Sequence, residues 1–145
     1  MNAAVLVLRL LLGGMLLVAG MLKVGHAANL AASIAGFRLL PAAVAGPLAL
    51  ALPFIEILLG AYLLAGLFTR TTAWIVATQF FIYAAAVASA VLRHIPANCG
   101  CFGPGDAAVA DWPHVAVDCL FGAAAIFVAI GAPGPLALDR KLRAA

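Results

Sequence analysis

Apolar residues fill this chain in four long blocks, separated by short breaks rich in proline, glycine or charge. The first block, Val5 to Leu22, is interrupted only by Arg9. A helix needs about 20 residues to cross the hydrocarbon of a bilayer, so the block predicts a first span over residues 5–23. A cleaved signal peptide is the competing reading, because Ala27-Ala28 follows, but the basic n-region is missing and the apolar run is too long. Gly13, Gly14 and Gly20 offer a neighbouring helix a close approach.

Between Val24 and Leu40 the pattern becomes two-sided. Leu30, Ile34 and Phe37 fall on one helical stripe, and His26, Asn29 and Ser33 on another. That predicts a short amphipathic helix along the membrane surface. Pro41, Pro47 and Pro53 then lead into a second span over residues 47–68, with Pro47 in its first turn and Pro53 inside it. A very short turn around Arg70 joins this span, antiparallel, to a third over residues 72–93. A longer connection from His94 to Pro113 precedes a fourth span over residues 114–131, which Gly131-Ala132-Pro133-Gly134-Pro135 stops.

Composition agrees with the pattern. Of 145 residues 67% are hydrophobic and 9% charged, and mean hydropathy is +1.19. A soluble domain of this size has no interior that could hide so much apolar surface. The expected fold is therefore an all-α membrane protein, a single transmembrane domain over residues 1–145 built as a four-helix bundle. Its partner is first of all the lipid bilayer. A net charge of +3 from scattered basic residues gives no nucleic-acid footprint. Basic residues instead report topology. Arg9, Arg70, Arg140, Lys141 and Arg143 share one side against Lys23, Arg38 and Arg93, which places both termini in the cytoplasm of a cell inner or plasma membrane.

That orientation puts Asn98-Cys99-Gly100-Cys101-Phe102-Gly103 outside, where thiols can be oxidised and stay so. Two of the three cysteines sit there, one residue apart. Gly100 lets the backbone bend between them, and a bridge across so small a ring is strained, hence readily exchanged. The pair reads as a redox centre. Thiolate and imidazole ligation by Cys99, Cys101, Cys119 and His94 or His114 is the rival; Cys-x-Cys spacing suits tetrahedral zinc poorly, and soft Cu(I) stays open. No metal site is assigned. Cys119, early in the fourth span, is either a resolving thiol or a small apolar side chain.

Glu56 is the costliest residue in the chain, a carboxylate roughly 13 Å below the outer end of its helix. Lys23, reaching inward on its flexible stem, is the natural partner. The two form either a structural ion pair or a proton-handling pair beneath the thiols. Asp118 could serve similarly, or cap the outer end of span four. Trp112 and Arg93 sit at interface height as anchors. Phe80, Phe81 and Tyr83 could line a flat pocket for a quinone ring, or face lipid or core.

Taken in order, Lys23, Leu40-Pro41, Leu52-Pro53 with Glu56 and Gly60, Cys99-Gly100-Cys101-Phe102-Gly103, Trp112 and Asp118 resemble the MauE family of four-span membrane proteins, grouped with DoxX-like proteins. The resemblance covers about Leu10 to Ile130, and the Cys-Gly-Cys-Phe-Gly string is its most specific part. It implies cell-envelope thiol-disulfide chemistry: the named member is needed to mature the disulfide-rich small subunit of methylamine dehydrogenase, alongside a thioredoxin-like partner. Carried over residue by residue, it implies Cys99 and Cys101 as the redox pair, with Lys23, Glu56 and Asp118 as motif positions. Cys119 falls outside that pattern. The expected protein is a thiol-disulfide oxidoreductase, acting with an extracytoplasmic thioredoxin-like protein or a disulfide-containing substrate and passing electrons onward, with quinone as one acceptor.

Overall fold

The structure, a computed structural model, describes residues 2–100 and 108–142. Six helices follow in order: α1 (Asn2–Lys23), α2 (Ala27–Gly36), α3 (Ala42–Ala65), α4 (Thr69–Leu92), α5 (Trp112–Gly131) and α6 (Leu138–Leu142). Among the described residues, four of them are long and apolar enough to cross a membrane, and there is no strand. The chain is an all-helical, multi-pass membrane protein.

Two boundaries differ from expectation, and both for chemical reasons. Pro41, with an extended backbone, is the N-cap of α3, so Pro47 lies in the helix interior. At the other end Gly66 turns left-handed (φ +70°), and the Gly66 and Leu67 amides both donate to Tyr62 O at 2.9 and 3.0 Å. Only a residue tolerant of that conformation can close a helix so, and α3 stops there. The turn is thus Gly66–Phe68, and α4 already begins at Thr69. Its first amides find their acceptor far along the chain: both oxygens of Asp139 receive hydrogen bonds, from Phe68 N and Thr69 N, at 2.7 Å each. Side-chain acceptors at a helix start satisfy donors that the helix itself cannot.

α1 lies antiparallel along α3 with the two backbones in contact. A Cβ at Gly60 would stand 2.7 Å from Gly13 O, and one at Gly20 would stand 2.7 Å from Pro53 O. Gly13 and Gly20 therefore serve as expected, whereas Gly14 faces open space. α4 pairs with α5, where Gly122 lies under the ring of Phe81. A shared core joins the pairs through Leu12 and Leu16 of α1, Leu63 of α3, Phe80 of α4 and Val128 of α5. α3 and α4, although joined by the shortest turn, pack mainly on these other partners and part from each other. A gap is left between them.

Candidate functional site

The register of α1 on α3 sets Lys23, the last residue of α1, outward of Glu56, so its ammonium reaches inward along its own stem. Nζ donates to Glu56 Oε1 at 2.8 Å and to Oε2 at 2.7 Å. The pair expected from the sequence is present and is sealed: Lys23 is 4% and Glu56 1% exposed. Because α3 starts at Ala42, Glu56 sits deeper than anticipated, about 21 Å along the axis from the helix start.

Two residues of α4 complete the cluster. Tyr83 Oη donates to Glu56 Oε1 at 2.9 Å, and Gln79 Nε2 donates to Tyr83 Oη at 2.8 Å and to Glu56 Oε1 at 3.4 Å. Gln79 and Tyr83 stand four residues apart and so share one face of the helix. A carboxylate in a low-dielectric interior needs every lone pair answered, and here an ammonium, a phenol and an amide answer them. Sequence reasoning overlooked Gln79. The available signal was an amide in the middle of a span, where polar side chains seldom stand without a partner.

α2 forms the lid over this cluster, and its two stripes have distinct duties. His26, Asn29 and Ser33 line a polar cavity of about 430 Å³, together with Lys23, Asn98 and Gly100. Leu30, Ile34 and Phe37 instead border a larger apolar cleft of about 830 Å³, which fills the gap between α3 and α4. Lys23, Leu30, Ser33 and Gly100 belong to both. The amphipathic pattern thus divides two internal spaces. Arg93 holds the lid in place, donating to Phe37 O and to Arg38 O (3.4 Å) where α4 and α2 end. Its role is a staple between helices, beyond the anchor predicted.

The cysteine loop is clasped at its base. Cys99 N donates to Ala108 O and Ala110 N to Ala97 O, both at 2.9 Å, around an antiparallel bridge between Asn98 and Val109. Gly100 takes the left-handed backbone anticipated for the bend, with φ +62°. A Cβ there would lie 3.1 Å from Ser33 Oγ, so the bend rests on the lid. Cys99 is half-buried against Val87, Ala90, Ala97 and Ala110, and it lines the rim of the apolar cleft. Cys101, and with it the expected Cys99–Cys101 pair, lies outside the described residues.

Other candidates fall elsewhere. Cys119 is an exposed free thiol on α5, beside the outward-facing Leu120, and packs with neither Cys99 nor the ion pair. Asp118 is buried on the same helix, but the N-cap of α5 is Asp111, whose carboxylate accepts from the His114 amide at 3.0 Å. The capping role suggested for Asp118 is corrected accordingly. Asp118 Oδ2 has no hydrogen-bond partner among the described residues, and Asp118 is not in the Glu56 cluster. The side-chain hydrogen bond from His114, aided by the amide, holds the Asp111 carboxyl below its usual range. Of the three aromatics proposed for a pocket, only Tyr83 lines the cleft. Phe80 is core, stacked near Phe121 at 5.4 Å, and Phe81 covers Gly122 on α5. Trp112 is exposed at the start of α5. Among the described residues no three His, Cys, Asp or Glu side chains gather as metal ligands.

No curated protein and no solved structure matches the chain. A family model described as "Methylamine utilisation protein MauE" does, over residues 1–132. That span takes in α1 to α5, the buried ion pair and the backbone bridge between Asn98 and Val109, and the chain belongs to the MauE family.

Proposed function

We propose that this protein is a membrane thiol-disulfide exchanger, with Cys99 and Cys101 as its redox pair. The observation that carries the reading is the position of Cys99: fixed by the clasp at the loop base and set at the rim of a cleft whose wall holds a buried ion pair. A purely structural thiol needs neither. The loop faces the extracytoplasmic side, as the distribution of Lys and Arg suggests, and the partner is a thioredoxin-like protein or a disulfide-forming substrate there. The family description, methylamine utilisation, makes the maturation of disulfide-containing proteins of that process the first context to test.

In the oxidising direction a partner thiolate attacks one sulfur of the Cys99–Cys101 bridge, and a mixed disulfide forms as that bridge breaks. The partner's second thiolate then attacks the mixed disulfide. The partner leaves oxidised, and Cys99 and Cys101 remain as thiols, so two electrons have entered the membrane protein. Glu56 and Lys23 are positioned to manage the accompanying protons beneath the loop. Cys119 has no part in the scheme.

Trapping tests it. With a partner whose second cysteine is replaced by serine the resolving step is blocked, and a mixed disulfide with this protein is expected to accumulate in non-reducing gels and to be absent in Cys99→Ser and in Cys101→Ser, which cannot form the bridge. A double serine variant that still oxidises the partner at the normal rate would contradict the proposal and would leave the protein a non-catalytic docking partner.

A further inference from the structure

We infer that the apolar cleft between α3 and α4 binds a lipid-soluble quinone, with a ring carbonyl at Lys23 and the isoprenoid tail running toward Trp74; this rests on the exchange reading above for its purpose, though not for its geometry. The cleft has the build of a ligand site: about 830 Å³, mostly apolar walls, and few polar groups, of which Lys23, Gln79 and Tyr83 belong to one hydrogen-bonded cluster with Glu56. Along α4 it extends from Trp74 to Ser89, which is about 22 Å of helix. Such a shape suits a small head on a long chain. Ile55, Trp74, Ile75 and Ile82 on its walls are also exposed at the bundle surface, so a ligand dissolved in the bilayer can enter sideways.

The polar region specifies the head. An ammonium carries three protons. Two of those on Lys23 go to Glu56 Oε2 and Oε1, and no other acceptor is found for Lys23 among the described residues. The remaining N–H belongs to a residue that lines the cleft. Because Glu56 already neutralises the ammonium, the site offers a hydrogen bond without net charge. A neutral carbonyl oxygen fits that offer, whereas a lipid phosphate would bring an uncompensated anion into a low-dielectric site. A bare acyl chain would leave the N–H unanswered.

The same geometry supplies the reaction's needs. When the thiols of Cys99 and Cys101 close to a disulfide they release two electrons and two protons, and a quinone that takes up both becomes a quinol. Cys99 stands at the rim of the cleft, and the polar cavity behind Ser33 and Gly100 brings water-accessible groups to the other side of Lys23. Proton exchange with the aqueous phase therefore meets the cleft at this ammonium.

The test uses the tryptophans. The chain has two, Trp74 in the cleft and Trp112 at the start of α5, so Trp112→Phe leaves a single reporter. The full-length Trp112→Phe protein in nanodiscs is titrated with decylubiquinone, and in parallel with decylbenzene, which has no carbonyl. Saturable quenching of Trp74 by the quinone is expected. Half-saturation should move about tenfold higher in Lys23→Met/Glu56→Leu, which removes both charges together and so spares the fold. Ala86→Phe, which places a ring in the cleft, should abolish the saturable component while the far-ultraviolet circular dichroism stays unchanged. Quenching that rises linearly and equally in all variants would overturn the inference, as would decylbenzene that competes away the saturable quenching at the same concentrations at which the quinone produces it. Quinone binding is read without thiol exchange, and mixed-disulfide trapping is read without added quinone. Failure of binding would thus count against the cleft alone, and failure of mixed-disulfide trapping against the exchange reading alone.

Discussion

Arg9 and Lys23 are both buried cations on α1, 1% and 4% exposed, and they lie near opposite ends of the same helix. Arg9 is answered by the backbone. It donates to Pro133 O at 3.1 Å and Leu136 O at 3.4 Å, in the segment that follows α5, and a Cβ on Gly66 would stand 3.0 Å from its Nη1. Asp139, a few residues on, caps α4. The Asp139 carboxylate also attracts Arg9 electrostatically, but its hydrogen bonds from Phe68 N and Thr69 N hold the start of α4. Lys23 is answered by a carboxylate in direct contact, within a cluster of four side chains from three helices, and two cavities meet at it. Burial of a charge alone does not distinguish architecture from function. The open space beside Lys23, against the tight closure around Arg9, is what makes the Lys23 pair the candidate for a functional role.

Mutation can break this contrast. The largest effect is expected from Glu56→Gln, which leaves the Lys23 ammonium buried without its counter-charge: a loss of about 3–5 kcal/mol in reversible unfolding from detergent micelles. Lys23→Met/Glu56→Leu should recover most of that stability and still fail to pass electrons onward after thiol exchange. If the double variant were fully active, the ion pair would be a structural device like Arg9. Next in size, Arg9→Leu leaves the Pro133 and Leu136 carbonyls unanswered and should cost about 1–3 kcal/mol by the same measurement. Its mixed-disulfide yield should stay normal once folded.

Tyr83→Phe removes one hydrogen bond to Glu56 and should cost about 0.5–1.5 kcal/mol. Its larger consequence is expected in onward electron transfer, followed as the rate of thiol reoxidation. The smallest effect belongs to Asp111, on the surface. Its carboxyl is held below the usual range, so its cap contributes above the unfolded carboxylate range and is lost as pH falls through the folded value. Protection of the His114 amide, taken relative to the intrinsic exchange rate at each pH, should therefore fall in acid in the wild type, and already be low at neutral pH in Asp111→Ala.

Much of this was legible in the chain. Long apolar blocks announce spans because lipid leaves a helix no alternative, and a carboxylate at Glu56 demands a cation, for which Lys23 was the natural candidate. Gly100 was legible for the same kind of reason, since a bend between adjacent cysteines needs a residue without a Cβ. What could not be read was anything decided by distant chain. The start of α4 depends on Asp139, and the choice between pocket and core for the three aromatics falls differently for each, because Phe80 and Phe81 face α5 while Gln79 and Tyr83 face Glu56. Periodicity gives the faces of a helix without saying which neighbour each face meets. The two stripes of α2 were found correctly, yet only the packing of α3 and α4 reveals that they divide a polar cavity from an apolar cleft.

The central claim is that Cys99 and Cys101 cycle between disulfide and dithiol, and thiol counting by intact mass tests it most directly. Membranes are quenched in acid, and the protein is alkylated with and without prior reduction. The account predicts a species alkylated at Cys119 only before reduction, whose unmodified form is lighter by two hydrogens, and one alkylated at all three cysteines after it. It also predicts that the fraction in the first form shifts when the extracytoplasmic partner is removed. Three alkylated thiols without reduction, whether or not the partner is present, or thiols shielded by a co-purifying metal, would contradict it.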